Sequence, residues 1–274
     1  STPALSARLP TPQRSPLWLS TASPGSIKES TNSAVRKPRS SPVRQYLPKG
    51  LEPVDGGLGF AYVADMLKVS DSEPDQAYLN PERTQYGEGI IGFYCKYGET
   101  RGRFSAFIWV TQDWSMQFGV VMGWPKKMGE VHRTRINPFN PAMQAIGPGT
   151  KLKGLVHRHG RTLFELGVEI DQEDTPQQQR PDDAQHGERA FLLRYFPSVG
   201  PEIPETKQLL ALPLGGMKTG DTFSGKPFLK FGDSDNEDLE PLKNVELLRG
   251  YSYKSGWKTD TVLEVLHDYG TDAS

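Results

Sequence analysis

Two lysines, Lys126 and Lys127, stand side by side in the stretch MGWPKKMGE (residues 122–130), behind Pro125 and among Met, Gly and Trp. A lysine amine condenses with a ketone or aldehyde only when it is unprotonated. At its ordinary pKa near 10.4, roughly one molecule in a few thousand carries a free amine at pH 7. An apolar pocket, a neighbouring cation or both would lower that value. Reaching neutrality takes about 4 units, on the order of 5 kcal/mol from the folded surroundings. Adjacent side chains of an extended chain point in opposite directions, so one lysine could face a pocket while the other packs behind its wall. Without such a pocket, the pair would be a charged turn whose side chains reach out to water.

Other candidate chemistry is weaker. His157 and His159 are two apart and would share a face of a strand, but zinc needs three or four ligands and no third is near in sequence. His132, His186 and His267 are isolated. GGMKTG (215–220) has Met217 where a phosphate-binding loop needs glycine before its lysine, and there is no GxSxG nucleophile turn. No metal and no cofactor are expected. KKMGEVHRTR (126–135) is locally basic, but 32 basic against 33 acidic residues leave no global field, so neither nucleic acid nor an acidic membrane surface is an expected partner. The single cysteine, Cys95, rules out an intrachain disulfide, and no apolar run nears the roughly 18 residues of a membrane span.

Something must position the lysines, and most of the chain reads as strand. IIGFYCKY (90–97) and RFSAFIWV (103–110) flank a glycine-bounded loop as a hairpin. KLKGLVHRH (151–159) turns at Gly160 into TLFELGVEI, where Phe164, Leu166, Val168 and Ile170 alternate with polar positions. AFLLRYF (190–196) and KQLLALPL (207–214) form a further pair, and residues 245–269 supply two strands or one bent strand. The best helix is short, residues 113–123, with Asp113 as N-cap. Polar, proline-broken 171–188 and acidic 232–241 read as solvated loops. Residues 1–44, rich in Ser, Pro and Arg, read as a largely irregular N-terminal arm, with an organelle-targeting remnant as the alternative; residues 45–274 form one mainly β domain. A reducing, cytoplasmic compartment fits the cysteine usage.

GWPKKMG resembles the signature of the acetoacetate decarboxylase family, in which an aromatic-Pro-Lys-Lys segment carries a Schiff-base lysine. Acetoacetate decarboxylase is itself the known example of a lysine activated next to another cation. LPKGLEPVD (47–55), the Tyr-Gly-Glu strand and hairpin of 86–110, GLVHRHGRTLFELGVEI, FLLRYFPSVGPE (191–202) and EVLHDY (264–269) are similar to further family segments in the same order, from about residue 45 to 270. The resemblance implies a cone-shaped antiparallel β barrel with a few short helices (mainly β, α+β), usually in a homo-oligomer. It also implies Lys126 as the nucleophile, Lys127 as the neighbour that tunes or shapes the site, and Glu88 as a pocket carboxylate. The implied activity is that of a carbon–carbon lyase, a decarboxylase acting on a small keto substrate.

The sequence departs from the pattern at three places. A second pocket glutamate falls at Ala61 or Tyr62, with Asp65 nearby but out of register. The charged turn before the lysines reads FGVV (118–121). The carboxylate-binding arginine has no clear counterpart, although Glu29, Arg36 and Arg39 lie in its region. These changes predict a more apolar pocket and a larger, less polar ketone than acetoacetate. They leave open a non-decarboxylating aldol, dehydration or cyclisation enzyme, or a non-catalytic barrel that binds an apolar ligand.

Overall fold

The structure, a computed structural model, describes residues 24–36, 42–174, 189–259 and 262–270. Thirteen strands follow one another in the chain: β1 (Pro24–Arg36), β2 (Glu52–Pro53), β3 (Gly59–Ser70), β4 (Gln85–Tyr97), β5 (Thr100–Val110), β6 (Lys126–Met128), β7 (Glu130–Arg133), β8 (Lys151–Arg158), β9 (Arg161–Asp174), β10 (Arg189–Phe196), β11 (Thr206–Phe231), β12 (Glu246–Thr259) and β13 (Glu264–Asp268). Two α-helices accompany them, α1 (Gln76–Leu79) and α2 (Asp113–Met122). The mainly β class expected from the sequence is the class observed.

Pairing runs β10-β5-β4-β3-β1-β12-β11-β9-β8-β7, and β10 also pairs with β11, so the path returns to its first strand. That β10–β11 pairing is antiparallel, Arg189 with Pro213 to Phe196 with Thr206, whereas β10 meets β5 only in a short parallel seam, Ala190 with Arg103 and Phe191 with Phe104. Strand β11 makes it possible by its length. Its first part pairs with β10 and β13, and its second part with β12 and β9. GGMKTG lies within this strand, so it forms no phosphate loop. The three expected hairpins are present: β4–β5, β8–β9 and β10–β11. The last run divides into β12 and β13.

The N-terminal stretch differs from the irregular arm expected. Residues 24–36 form β1, paired antiparallel to β3 on one side and β12 on the other. A polar segment with no apolar alternation gives no strand signal, yet its backbone satisfies two neighbours that would otherwise expose hydrogen-bonding edges. Of the loop expected over 171–188, residues 171–174 belong to β9 and 175–188 lie outside the described residues, as do Arg39, His186 and the side chains of Glu29 and Arg36. None of the helices among the described residues is long and apolar enough to cross a membrane.

The main core lies on one face of β3, β4 and β5. It contains Ala61, Val63, Ile91, Phe93, Cys95 and Trp109, closed by Phe164, Phe191 and Leu209. Burial pushes the Cys95 thiol above its ordinary pKa, which marks it as packing rather than a reactive group. Because strand side chains alternate, the opposite face of β3 carries Phe60, Tyr62, Met66 and Lys68, and these turn toward a cavity.

Candidate active site

The lysine pair owes its orientation to a β5–α2–β6 unit. Two parallel neighbouring strands need a crossover, and α2 is that crossover. It ends at Gly123, whose φ of 100° is a left-handed cap conformation that side chains other than glycine's rarely adopt. Gln112, extended, precedes the helix, so Asp113 is its first residue and not its cap; an Asp113 carboxylate oxygen accepts the Trp114 backbone N–H at 2.6 Å. Beyond the helix, Lys126 pairs with Ile108 and Lys127 with Trp109. Ile108 lines the cavity and Trp109 belongs to the core, so the two lysines face opposite sides of the sheet.

Lys126 is 8 % exposed in its side chain and Glu88 is 5 % exposed. The Lys126 Nζ lies 2.9 Å from Glu88 Oε2 and donates to Ser115 Oγ at 3.0 Å, with the Tyr86 hydroxyl at 3.5 Å. The Tyr62 hydroxyl donates to the other Glu88 oxygen at 2.9 Å. Glu88 sits opposite Ala64 on β3 and Val110 on β5, two small neighbours that leave its carboxylate free to reach Lys126. Burial and the Glu88 charge raise the pKa of Tyr62 and of Tyr86, so both are phenols at neutral pH.

The expected depression of the Lys126 pKa is not found. Burial pulls it down, but the charge and hydrogen bonds of Glu88 and Tyr86 outweigh burial and leave it raised. Lys127 also does not reach the cavity. Its Nζ donates to Glu237 Oε1 at 3.1 Å, and Glu237 is 1 % exposed in its side chain. That carboxylate further accepts the Ser234 hydroxyl and faces Arg158 at 3.9 Å. The acidic 232–241 stretch is therefore not a fully solvated loop: it drives a carboxylate inward to anchor β6 from behind. Burial raises the pKa of Glu237, but hydrogen bonds from Ser234 and Lys127 and the Lys127 charge prevail and lower it. A carboxylate held low stabilises the fold above its unfolded pKa and loses that contribution as pH falls through its folded value. Glu237→Gln is expected to melt below the parent protein at pH 7, with the gap closing in melts recorded below the ordinary value of 4.5. A gap unchanged at pH 3 would mean that charge is not what holds β6.

The FGVV stretch that lost the family's charges has a packing role. A methyl group at Gly119 would lie 2.4 Å from Lys126 Cδ and 2.7 Å from its Cγ. The lysine stem thus lies directly on α2. Gly119→Ala should leave the melting temperature equal or higher, because alanine favours helix by about 1 kcal/mol. Turnover should fall roughly 100-fold, the cost of about 1 Å of misplacement. Full turnover in that variant would show that the stem need not touch the helix.

Of the two positions where the sequence lacks a second pocket glutamate, Tyr62 lines the cavity and Ala61 points into the core. Asp65 falls on the opposite face from Met66 and is bound by Arg133 at 2.8 Å and Arg135 at 3.2 Å, away from the lysine. Sequence reasoning missed Ser115, Lys68 and Arg103 in this cavity. Alternation along β3 from Tyr62 could have found Lys68; Arg103 follows a bulge in the β4–β5 ladder that breaks the alternation. The pocket is accordingly not simply more apolar. Aromatic groups (Phe60, Trp114, Phe118, Trp124) line it, but so do these two additional cations.

His157 and His159 do not converge; the ring beside His157 is that of His132, 6.0 Å away between ring centres. His159 leaves the strand in the hairpin turn with a φ of 51°, while His157 Nδ1 lies 3.0 Å from Thr162 Oγ1. No group of three potential metal ligands occurs among the described residues.

Solved structures share this arrangement of strands. An acetoacetate decarboxylase-like enzyme from Sphingomonas wittichii RW1 matches with a TM-score of 0.84 and 28% identity, over 92% of this chain and 95% of that one. The enduracididine biosynthesis enzyme MppR, complexed with the condensation product of pyruvate and imidazole 4-carboxaldehyde, matches with 0.81 and 25%, over 92% of each chain. Acetoacetate decarboxylase from Legionella pneumophila matches with 0.70 and 13% identity over 98% of this chain and 99% of that one, a likeness of fold alone. No curated protein matches by sequence. The model of the family "Acetoacetate decarboxylase (ADC)" matches residues 39–270, and with the lysine segment, the strand order and these relatives in agreement, the chain belongs to the acetoacetate decarboxylase family.

Proposed function

We propose that the protein is a Schiff-base enzyme that captures a keto acid on Lys126 and carries out carbon–carbon chemistry in which the carboxylate is retained. The observation that carries this reading is the buried Lys126 amine, 2.9 Å from Glu88, in a cavity that also presents Lys68 and Arg103. The resting amine is protonated. It becomes a nucleophile by passing its proton to Glu88 along their 2.9 Å contact. Activation thus comes from the carboxylate in front of the amine and not from the lysine beside it. Attack on the ketone and loss of water, to which Glu88 returns that proton, give an iminium and restore the Glu88 carboxylate. Its positive charge drains electrons from the adjacent carbon, whose proton leaves to the Glu88 carboxylate, forming an enamine. The enamine carbon then adds to an aldehyde, whose oxygen takes a proton, and water releases the product. The Tyr62 and Tyr86 hydroxyls are placed to donate to the carboxylate and to the substrate oxygen.

Retention of the carboxylate follows from charge. Decarboxylation moves electrons from the carboxylate into the iminium, so cations that hold the carboxylate stabilise the bound state more than the transition state. Whichever of Lys68 and Arg103 holds that carboxylate therefore weighs against CO₂ loss. The MppR complexes with pyruvate and with a pyruvate condensation product support the same reading by similarity. Family membership favours the second reading, loss of CO₂ from a β-keto acid. Incubation with pyruvate or acetoacetate, borohydride reduction and peptide mapping test the first step, and CO₂ assay separates the two readings. A pyruvate adduct on Lys126 with little CO₂ from acetoacetate is expected. Failure of every keto acid to leave an adduct would overturn the reading.

A further inference from the structure

We infer that the cavity is built for a keto diacid, a substrate with an anionic group at each end and its carbonyl between them, one anion met by Arg103 and the other by Lys68. The inference rests on Lys126 as the amine that captures the carbonyl. It comes from the order of groups along the sheet. Tyr62 lies opposite Ile90 and Met66 opposite Tyr86, so Lys68, two residues further along β3, lies past the Tyr86 end. Ile108 lies opposite Ile90, and Arg103 opposite Tyr94, at the other end of β4. Lys126 is level with Ile108, and its amine turns to Glu88, between the two cations. All of these residues except Tyr94 line one cavity.

Charge within the cavity is unbalanced. Lys68, Arg103 and Lys126 are its cations, and Glu88 is its one acid among the described lining residues, already engaged by Lys126 and Tyr62. Neither Lys68 nor Arg103 has an acidic partner among the described residues. Lys68 rests 3.0 Å from the centre of the Phe118 ring, a contact that a carboxylate can outbid. Arg103 acts only at a distance, on the Tyr62 hydroxyl. Lys68 and Arg103 are half-buried; a cation partly withdrawn from water without a counter-charge is costly, and an arriving anion offsets that cost at each end. A single anion, such as that of pyruvate, would satisfy one end and leave the other bare. Burial, then the Lys126 charge, lowers the Lys68 pKa to about 7, so a carboxylate arriving there also recovers its full charge. Between the ends, Phe60, Ile90 and Trp124 offer an apolar belt suited to a methylene spacer.

The test compares reductive capture on Lys126 across pyruvate and 2-oxobutyrate, with one carboxylate, and 2-oxoglutarate and 2-oxoadipate, with two. Half-maximal capture is expected at concentrations at least about tenfold lower for a diacid, the scale of one added charged hydrogen bond. That advantage over pyruvate should disappear in Arg103→Gln and in Lys68→Met. Capture of diacids no better than of pyruvate overturns the inference while leaving Lys126 as the nucleophile, and a diacid preference that survives both substitutions overturns the assignment of the two cations. Glutarate and adipate, which lack a carbonyl, provide a readout free of covalent chemistry. They should raise the melting temperature of the parent protein more than acetate does, and should raise that of Lys68→Met less. If no keto acid leaves an adduct, the amine reading fails, and the glutarate shift still decides whether two anions are held. Should Arg103→Gln fail to fold, Lys68→Met and the glutarate shift decide alone.

Discussion

Lys126→Met is expected to leave no reductive adduct at position 126 and to lose about 10⁶-fold in turnover, the scale seen when a covalent nucleophile is removed. Methionine fills the same elongated space along α2 without an amine, so the fold should persist. The informative complication is Lys68. With a pKa lowered to about 7, it carries a free amine in a substantial share of molecules at neutral pH, and it lines the same cavity. By nucleophilicity alone it is a rival. Among the described residues it has no carboxylate beside it, however, so it can form an imine but lacks a partner for the proton transfers that follow. Peptide mapping of the substituted protein should show at most a slow adduct at Lys68, with no turnover attached to it. Turnover at the parent rate in Lys126→Met would reject the Schiff-base mechanism outright.

Glu88→Gln is expected to separate capture from turnover. Glutamine keeps the shape and still accepts the Tyr62 hydroxyl, but it takes no proton, so turnover should drop by roughly 10² to 10⁴. Its effect on the lysine runs the other way. Burial alone pulls the Lys126 pKa down, and Glu88 is the chief group that holds it up. Without the carboxylate the buried amine loses its counter-charge and neutralises at lower pH. Capture by borohydride at pH 7 should therefore persist in this variant while turnover collapses, and its pH profile should move to lower pH. If capture and turnover fell together with an unchanged pH profile, Glu88 would serve to shape the site and not to move protons. Full turnover in Glu88→Gln would remove the carboxylate from the mechanism.

The opposite facing of the two lysines was legible in the sequence for a local reason. Lys126 and Lys127 are adjacent, adjacent residues on a strand face opposite ways, and the aromatic-Pro-Lys-Lys signature singles out the first. Glu88 was legible through its Tyr-Gly-Glu strand. The hairpins at 85–110 and 151–174 were legible because alternation and turn glycines are local signals. The reading that failed was the one about cause. The sequence suggests that burial, with the neighbouring cation as an accessory, lowers the amine's pKa. In the fold, Lys127 is drawn away by Glu237, 110 residues distant, and Lys126 meets a carboxylate from another strand.

Composition and alternation thus determined by themselves a mainly β chain, and the resemblance of the lysine motif and further segments in order pointed to the acetoacetate decarboxylase family, with a lysine ready to face inward. The tertiary structure alone decided which charges meet that lysine. Registers between β3, β4 and β5 bring Tyr62, Glu88, Lys68 and Arg103 to one cavity, although they are spread over more than forty residues of chain. Strand β1 was decided the same way, by open backbone edges on its neighbours and not by any pattern of its own. The physical reason is common to both. Secondary structure follows from the spacing of residues along the chain, whereas the charge state of a buried group depends on the few ångströms around it, and those are filled by residues that only the register of distant strands can bring together.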